Sequence, residues 1–197
     1  MFNGVRVLVS DAVYEPSHDS YLLVKALNQA VHHGNEVALD IGCGACPEAV
    51  YLARRGHYVI AVDVNPCALT CCARTAHSQN LDALIDVVQC FSAMCIRSSC
   101  IDIAVFNPPY LPCSDDSTWL DVAVCGGEEG VDALKAFIND ALVACRRRCT
   151  IVFVLSSLQN LERVARELSQ CSELEILDCI PFFYEELCSA VCRVRRC

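Results

Sequence analysis

Apolar residues along this chain gather into short solid runs, separated by longer stretches where they recur at helical spacing. The runs Val37 to Ile41, Tyr58 to Val62, Ala83 to Gln89, Ile101 to Phe106 and Ile151 to Leu155 read as strands buried on both faces. The periodic stretches predict helices. One begins at Asp19, a suitable cap, and runs to about Val31 with Tyr21, Leu22, Leu23, Ala26 and Leu27 apolar. Others span Pro47 to about Arg55, Pro66 to about His77, Val131 to Arg147 and Leu158 to Ser169. Pro47 suits a first helical position, and Gly56 suits a helix stop. Val5 to Val9 alternates like a short strand, and Leu111 to Glu129 reads as a long acidic loop. Strands near Glu175 to Ile180 and Leu187 to Val194 close the chain, joined by Pro181 to Glu186 as an antiparallel hairpin. Alternating strand and helix predicts an α/β architecture, with a mostly parallel sheet covered on both faces and residues 1–197 forming one domain.

Composition narrows the function classes. The 197 residues are 54% hydrophobic, yet no run approaches the ~20 apolar residues of a membrane helix. Ser10 and Asp11 interrupt the start too early for a signal-peptide core, which places the protein in the cytoplasm. The apolar excess reads either as surface covered by a partner or as a thick buried sheet rich in cysteine. The net charge is −9, and the one basic cluster, Arg146-Arg147-Arg148, falls at the end of a predicted helix where cations suit the dipole. Long nucleic acid is therefore disfavoured as a substrate, and a basic protein fits better.

The 17 cysteines form no paired CxxC set; Cys43 and Cys46 make a single CxxC inside a glycine loop. They read mostly as small core residues, with no metal site assigned. Cys67 and Cys71 share a helix face, and Cys188 and Cys192 share a strand face. Sequence alone cannot pair them, although intracellular disulfides do occur in hyperthermophiles.

The chemistry concentrates at three strand ends. Asp40-Ile41-Gly42-Cys43-Gly44 links a strand to a helix, with glycines that let backbone approach a ligand. Asp63 ends the next strand, where a carboxylate can take both hydroxyls of a ribose. A dinucleotide fingerprint would place a third glycine where Pro47 stands, and Asp40 would repel a diphosphate. S-adenosylmethionine, cationic and free of phosphate, tolerates both. The third strand end carries Asn107-Pro108-Pro109-Tyr110. The prolines end the strand and stiffen it, so the Asn107 side chain and the Pro108 carbonyl offer two fixed acceptors to a planar –NH2 group. Tyr110 can lie against that group.

These motifs, in this order, resemble the class I S-adenosylmethionine-dependent methyltransferases. Val13-Tyr14-Glu15-Pro16-Ser17-His18-Asp19-Ser20 and Gly126-Gly127-Glu128-Glu129-Gly130 are similar to segments of the HemK-like glutamine methyltransferases, in their short archaeal and eukaryotic branch. The resemblance covers nearly the whole chain. It implies a Rossmann-like class I methyltransferase fold, a seven-stranded mostly parallel sheet with a C-terminal antiparallel hairpin. It implies S-adenosyl-L-methionine as cofactor, held by Ser20, Asp40, Gly42, Gly44, Asp63 and Asn107. It implies the Gly-Gly-Gln glutamine of a class I peptide release factor as substrate, held by Asn107, Pro108, Pro109 and Tyr110, with Asn107, Pro108 and Tyr110 catalytic. It also implies a small zinc-ribbon activator protein on apolar surface beside the third strand, as a heterodimer. One departure stands out: the family's adenine-contacting Asp is absent from Val88-Gln89-Cys90-Phe91-Ser92, which leaves Phe91, Gln89 or Ser92 for that contact. Rival readings are methylation of an exocyclic amine such as adenine N6 in nucleic acid, a non-catalytic binding subunit of the same fold, and an NAD-dependent oxidoreductase.

Overall fold

The computed structural model describes residues 6–113 and 118–195. Seven strands form one sheet in the order β3-β2-β1-β4-β5-β7-β6. They are β1 (Val37–Ile41), β2 (Tyr58–Asp63), β3 (Ile85–Gln89), β4 (Ile101–Phe106), β5 (Cys145–Ser156), β6 (Glu173–Pro181) and β7 (Glu186–Arg195). The first five run parallel, and β7 lies antiparallel between β5 and β6. The helices are α1 (His18–Ala30), α2 (Pro47–Arg54), α3 (Pro66–Ser78), α4 (Trp119–Val124), α5 (Asp132–Ala144) and α6 (Leu161–Leu168).

Strand residues alternate between two cores. Ala38, Ile103, Val105 and Val152 pack under α1, α2 and α3, while Leu39, Ile41, Ala104 and Phe106 pack under α5 and α6. Phe106 stacks on Phe153 at 5.4 Å and meets Phe137 of α5 edge-on at 5.7 Å, so the end of β4 is fixed from two sides. Strand order reverses between β1 and β4. The carboxyl ends of these two strands therefore flank the crevice where open α/β sheets place ligands.

The parallel sheet, the covering on both faces and the closing hairpin are as the sequence predicts, and several boundaries differ. Ser17, not Asp19, is the N-cap of α1, and Asp19 lies buried in the helix's first turn. Residues 6–10 form no strand: the Leu8 N–H goes to the Thr75 hydroxyl at 3.0 Å instead of to a ladder, while Val5 lies outside the described residues. The acidic segment after β4 contains α4, begun by a capping box between Thr118 and Asp121; Ser114 to Ser117 lie outside the described residues. Arg146-Arg147-Arg148 belongs to β5, not to a helix end. Its start pairs beside β4, where Arg146 grips Asp102 at 2.6 and 2.8 Å.

Among the described residues, ten cysteines pair, as Cys90–Cys95, Cys113–Cys125, Cys145–Cys149, Cys171–Cys192 and Cys179–Cys188. The pairing the sequence leaves open is thus supplied by the fold, and Cys145, Cys149 and Cys192 are core residues as well as disulfide partners. Among the described residues, the one group with three metal-ligand atoms close together is Cys179, Glu186 and Cys188, and there the two sulfurs are bonded to each other. No helix among the described residues is long and apolar enough to cross a membrane.

Candidate active site

The ends of β1, β2 and β4 open onto a cavity of about 350 Å³. Its floor is the loop after β1. Gly42 (φ 70°) and Gly44 (φ 51°) both adopt the left-handed conformation that glycine tolerates. A Cβ at Gly42 would touch the Phe137 ring at 3.4 Å, whereas at Gly44 nothing among the described residues stands within 4 Å, so that backbone faces open cavity.

The loop is tied down by the acids of the neighbouring strands. Gly42 and Cys43 donate to the Val62 carbonyl at 2.8 and 3.0 Å, and Gly44 donates to Asp63 Oδ2 at 2.9 Å. Asp63 Oδ1 takes the Asn65 N–H at 2.9 Å. Each Asp63 oxygen keeps lone-pair capacity for a ligand hydroxyl. Burial raises the Asp63 pKa, and the backbone N–H groups of Asn65 and Gly44 oppose that rise. α2 lacks a side-chain cap of its own, because Cys46 sits at its start with φ 59°. Asp40 supplies the missing acceptor from β1, its Oδ2 taking the Ala49 N–H at 3.1 Å. The Cys46 thiol donates to the Cys72 carbonyl oxygen of α3 at 3.5 Å, and the interaction of Cys43 and Cys46 with the Cys72 thiol pulls Cys72 down to about 5 and, with burial, pushes the other two up.

At the end of β4, Asn107 Nδ2 donates to Asp19 Oδ2 at 2.8 Å. Asp19 is 2% exposed, and its Oδ1 takes the Ser20 N–H at 2.7 Å. The amide of Asn107 is thereby fixed in one orientation. Its Oδ1 is buried and has no partner among the described residues. Asn107 and Pro109 line the cavity, while Pro108 and Tyr110 do not. Successive residues of an extended segment point to opposite sides, which explains the division. Burial, followed by Glu185, Asp19 and Tyr14, raises the Tyr110 pKa, so Tyr110 sits in an acidic neighbourhood behind the Asn107 segment. Two glycines of Gly126-Gly127-Glu128-Glu129-Gly130 back that segment. A Cβ on Gly126 would lie 2.7 Å from the Pro109 carbonyl oxygen, and one on Gly130 2.3 Å from that of Tyr110.

Of the predicted residues, Ser20, Asp40, Gly42, Gly44, Asp63, Asn107 and Pro109 all line this one cavity. Phe91 and Ser92 line it too, next to the end of β3. Three further contributors escaped the sequence reading. Trp119, Val122 and Ala123 of α4 form part of the wall, hidden in what reads as loop. Asn65 joins three elements, accepting from Cys67 N at 2.9 Å to cap α3 and donating to the Ala12 carbonyl at 2.8 Å; the Asn-Pro pair opening a helix was its signal.

Glu48, in the first turn of α2, is the third. Burial pushes its carboxyl up to about 8 from an ordinary 4.5. Linkage gives this shift a sign: the folded chain holds a proton that the unfolded chain has released, so this group costs stability as pH rises from about 4.5 through about 8. The melting temperature of the cofactor-free chain should fall across that range. The fall should be shallower in Glu48→Gln but not abolished, because burial raises Asp40 as well.

Residues 14–176 match the family model described as methyltransferase small domain. The chain belongs to that family. It is 29% identical over 189 residues to a Methanocaldococcus jannaschii protein named as a protein N5-glutamine methyltransferase, with 93% of each chain covered. It is 32% identical over 150 residues to the release factor glutamine methyltransferase of Streptococcus pneumoniae. That match takes in 71% of this chain but 53% of the relative, so the chain spans about half the relative's length. Among solved structures, the METTL16 MTase domain superposes with a TM-score of 0.70 at 15% identity, covering 96% of this chain and 73% of that one; the likeness is one of fold.

Proposed function

We propose that this methyltransferase uses S-adenosyl-L-methionine to methylate the side-chain amide nitrogen of a glutamine, that of the Gly-Gly-Gln motif in a class I peptide release factor. The observation that carries the reading is Asn107. Its donor end is committed to Asp19, its acceptor end is buried and has no partner among the described residues, and the side chain belongs to a residue that lines the cavity. A buried acceptor left without a donor costs about 1–3 kcal/mol. A primary amide N–H removes that cost and fixes its own nitrogen in place. The names of the M. jannaschii and S. pneumoniae relatives support the glutamine and the release factor.

The cavity suits the cofactor. Among the described residues its lining includes the carboxyls of Asp40, Glu48, Asp63 and Asp132 and no Lys, Arg or His. That donor set favours a cationic ligand and opposes a diphosphate. Asp63 would take the ribose hydroxyls, Gly42 and Gly44 would allow close approach, Ser20 and Asp40 would face the amino-acid arm, and Phe91 and Ser92 would flank the base. When bound, the cofactor supplies an electrophilic methyl group on a sulfonium. This chain's part is positioning. Asn107 Oδ1 would hold the –NH2 group, with the Pro108 carbonyl as the second acceptor, so that its lone pair could face that methyl, and Tyr110 would support the segment from behind. Holding such a near-attack geometry supplies roughly 7–11 kcal/mol at the upper end. No side chain is needed as a base before transfer, because the methylated amide nitrogen becomes strongly acidic and then loses its proton to water.

The partner proposed is a small zinc-ribbon activator forming a heterodimer along β3, and the setting is the cytoplasm. In support, β3 is an outer strand of the sheet, and Phe91 and Met94 are exposed just beyond it. The experiment is co-expression with the activator, followed by incubation with release factor and labelled cofactor and by mass spectrometry. One added methyl on the Gly-Gly-Gln glutamine is expected. Label passing to nucleic acid instead, with release factor unmodified, would overturn the assignment.

A further inference from the structure

Glu48 is 6% exposed, and its Oε1 has no hydrogen-bond partner among the described residues. It lines the cofactor cavity together with Ser20 and Asp40. The groups facing it are acidic or neutral: Asp19 and the Ser20 hydroxyl from α1 and Asp40 from β1, with Asp63 of β2 and Cys72 of α3 beyond Asp40. Among the described residues no Lys, Arg or His lines the cavity. A carboxyl oxygen buried without a donor beside a second buried carboxyl is costly in an empty cavity. It becomes favourable when a ligand brings both a positive charge and N–H donors. α2 adds to this, since its N-terminus favours a carboxylate in the first turn.

We propose that Glu48 receives the ammonium group of the cofactor's amino-acid arm, its Oε1 accepting an N–H from that group. The inference rests on the cofactor reading above and deepens it. Before binding, Glu48 carries its proton at neutral pH, with burial as the largest cause and Asp19 adding to it. On binding, the carboxyl gives that proton to solvent and the carboxylate pairs with the ammonium, so one proton leaves for each ligand bound. Affinity for any ligand with this ammonium therefore rises with pH up to the Glu48 pKa.

The test is calorimetric titration of the intact chain with S-adenosylhomocysteine, near pH 7, in buffers of different ionisation enthalpy. Wild type should release about one proton per ligand. Methylthioadenosine, which lacks the amino-acid arm, should release none. Glu48→Gln should bind S-adenosylhomocysteine roughly 10- to 100-fold more weakly without releasing a proton, and should hold methylthioadenosine as wild type does. Wild type taking up S-adenosylhomocysteine with no proton release would overturn the proposal, and this arm needs no variant to fold. Proton release persisting in Glu48→Gln would also overturn it, by moving the titration to Asp40. Failure to bind either nucleoside, with or without the activator, would strike the cofactor reading itself.

Discussion

Asn107→Ala should bind S-adenosylhomocysteine within about threefold of wild type and methylate release factor roughly 10²–10³-fold more slowly. The split follows from what the side chain touches. Its Nδ2 bonds to Asp19 and its Oδ1 has no partner among the described residues, so no hydrogen bond to the floor of the cavity is lost with it. What goes is an acceptor engaged only when the substrate amide arrives, so the loss falls on kcat and spares cofactor affinity. Asn107→Asp should be no rescue: it keeps an acceptor but sets a second carboxylate against Asp19. Asp19→Ala should lower kcat in the same direction by a smaller factor, since Asn107 keeps its acceptor but is free to turn. Single-turnover rates with saturating cofactor, alongside calorimetric affinities, check the split. Near-normal turnover in Asn107→Ala would end the positioning mechanism.

The parts of this site legible in the sequence are those with a one-dimensional cause. A strand of five or six apolar residues ends where a glycine pair, an Asp or a Pro-Pro follows, so the ends of β1, β2 and β4 could be read to within a residue. Gly42, Gly44, Asp63 and Asn107 sit at those ends, and the sheet's order brings them together without further instruction. What the sequence did not display depends on contacts between distant segments. Asp19 reads as a helix cap by its local pattern, yet its carboxylate turns inward to Asn107, 88 residues away. Glu48 carries no local signal of its role, and it is buried in the folded chain, where α2 packs against α1 and β1.

The misplaced helix end at Arg146-Arg147-Arg148 has a similar origin. Cations suit a helix terminus, and they equally suit the exposed start of a strand when a neighbouring strand offers a carboxylate, as Asp102 of β4 does. The cysteines mislead for the opposite reason. Small and apolar, they pattern as core residues, and pairings such as Cys171 with Cys192 require the fold to bring them within reach.

Gly130→Ala should remove both activity and part of the stability, through backbone alone. At φ 69° a Cβ costs about 1–2 kcal/mol, and this one would lie 2.3 Å from the Tyr110 carbonyl oxygen, a backbone atom that cannot swing aside. Gly130 is also held from the far side, where its carbonyl takes Gln159 Nε2 at 2.8 Å. The segment that yields is Asn107 to Tyr110, and displacing it by about 1 Å should cost on the order of 10²-fold in turnover. Gly44→Ala supplies the contrast. Its φ of 51° carries the same kind of backbone strain, but its Cβ would meet nothing within 4 Å and would project into the cofactor's space. Gly44→Ala should therefore weaken S-adenosylhomocysteine binding, whereas Gly130→Ala should bind it nearly as wild type and fail in transfer. Melting temperatures and calorimetric affinities of the two variants separate the cases. If Gly130→Ala loses cofactor affinity as Gly44→Ala does, the glycine loop after α4 supports the cofactor and not the amide-holding segment.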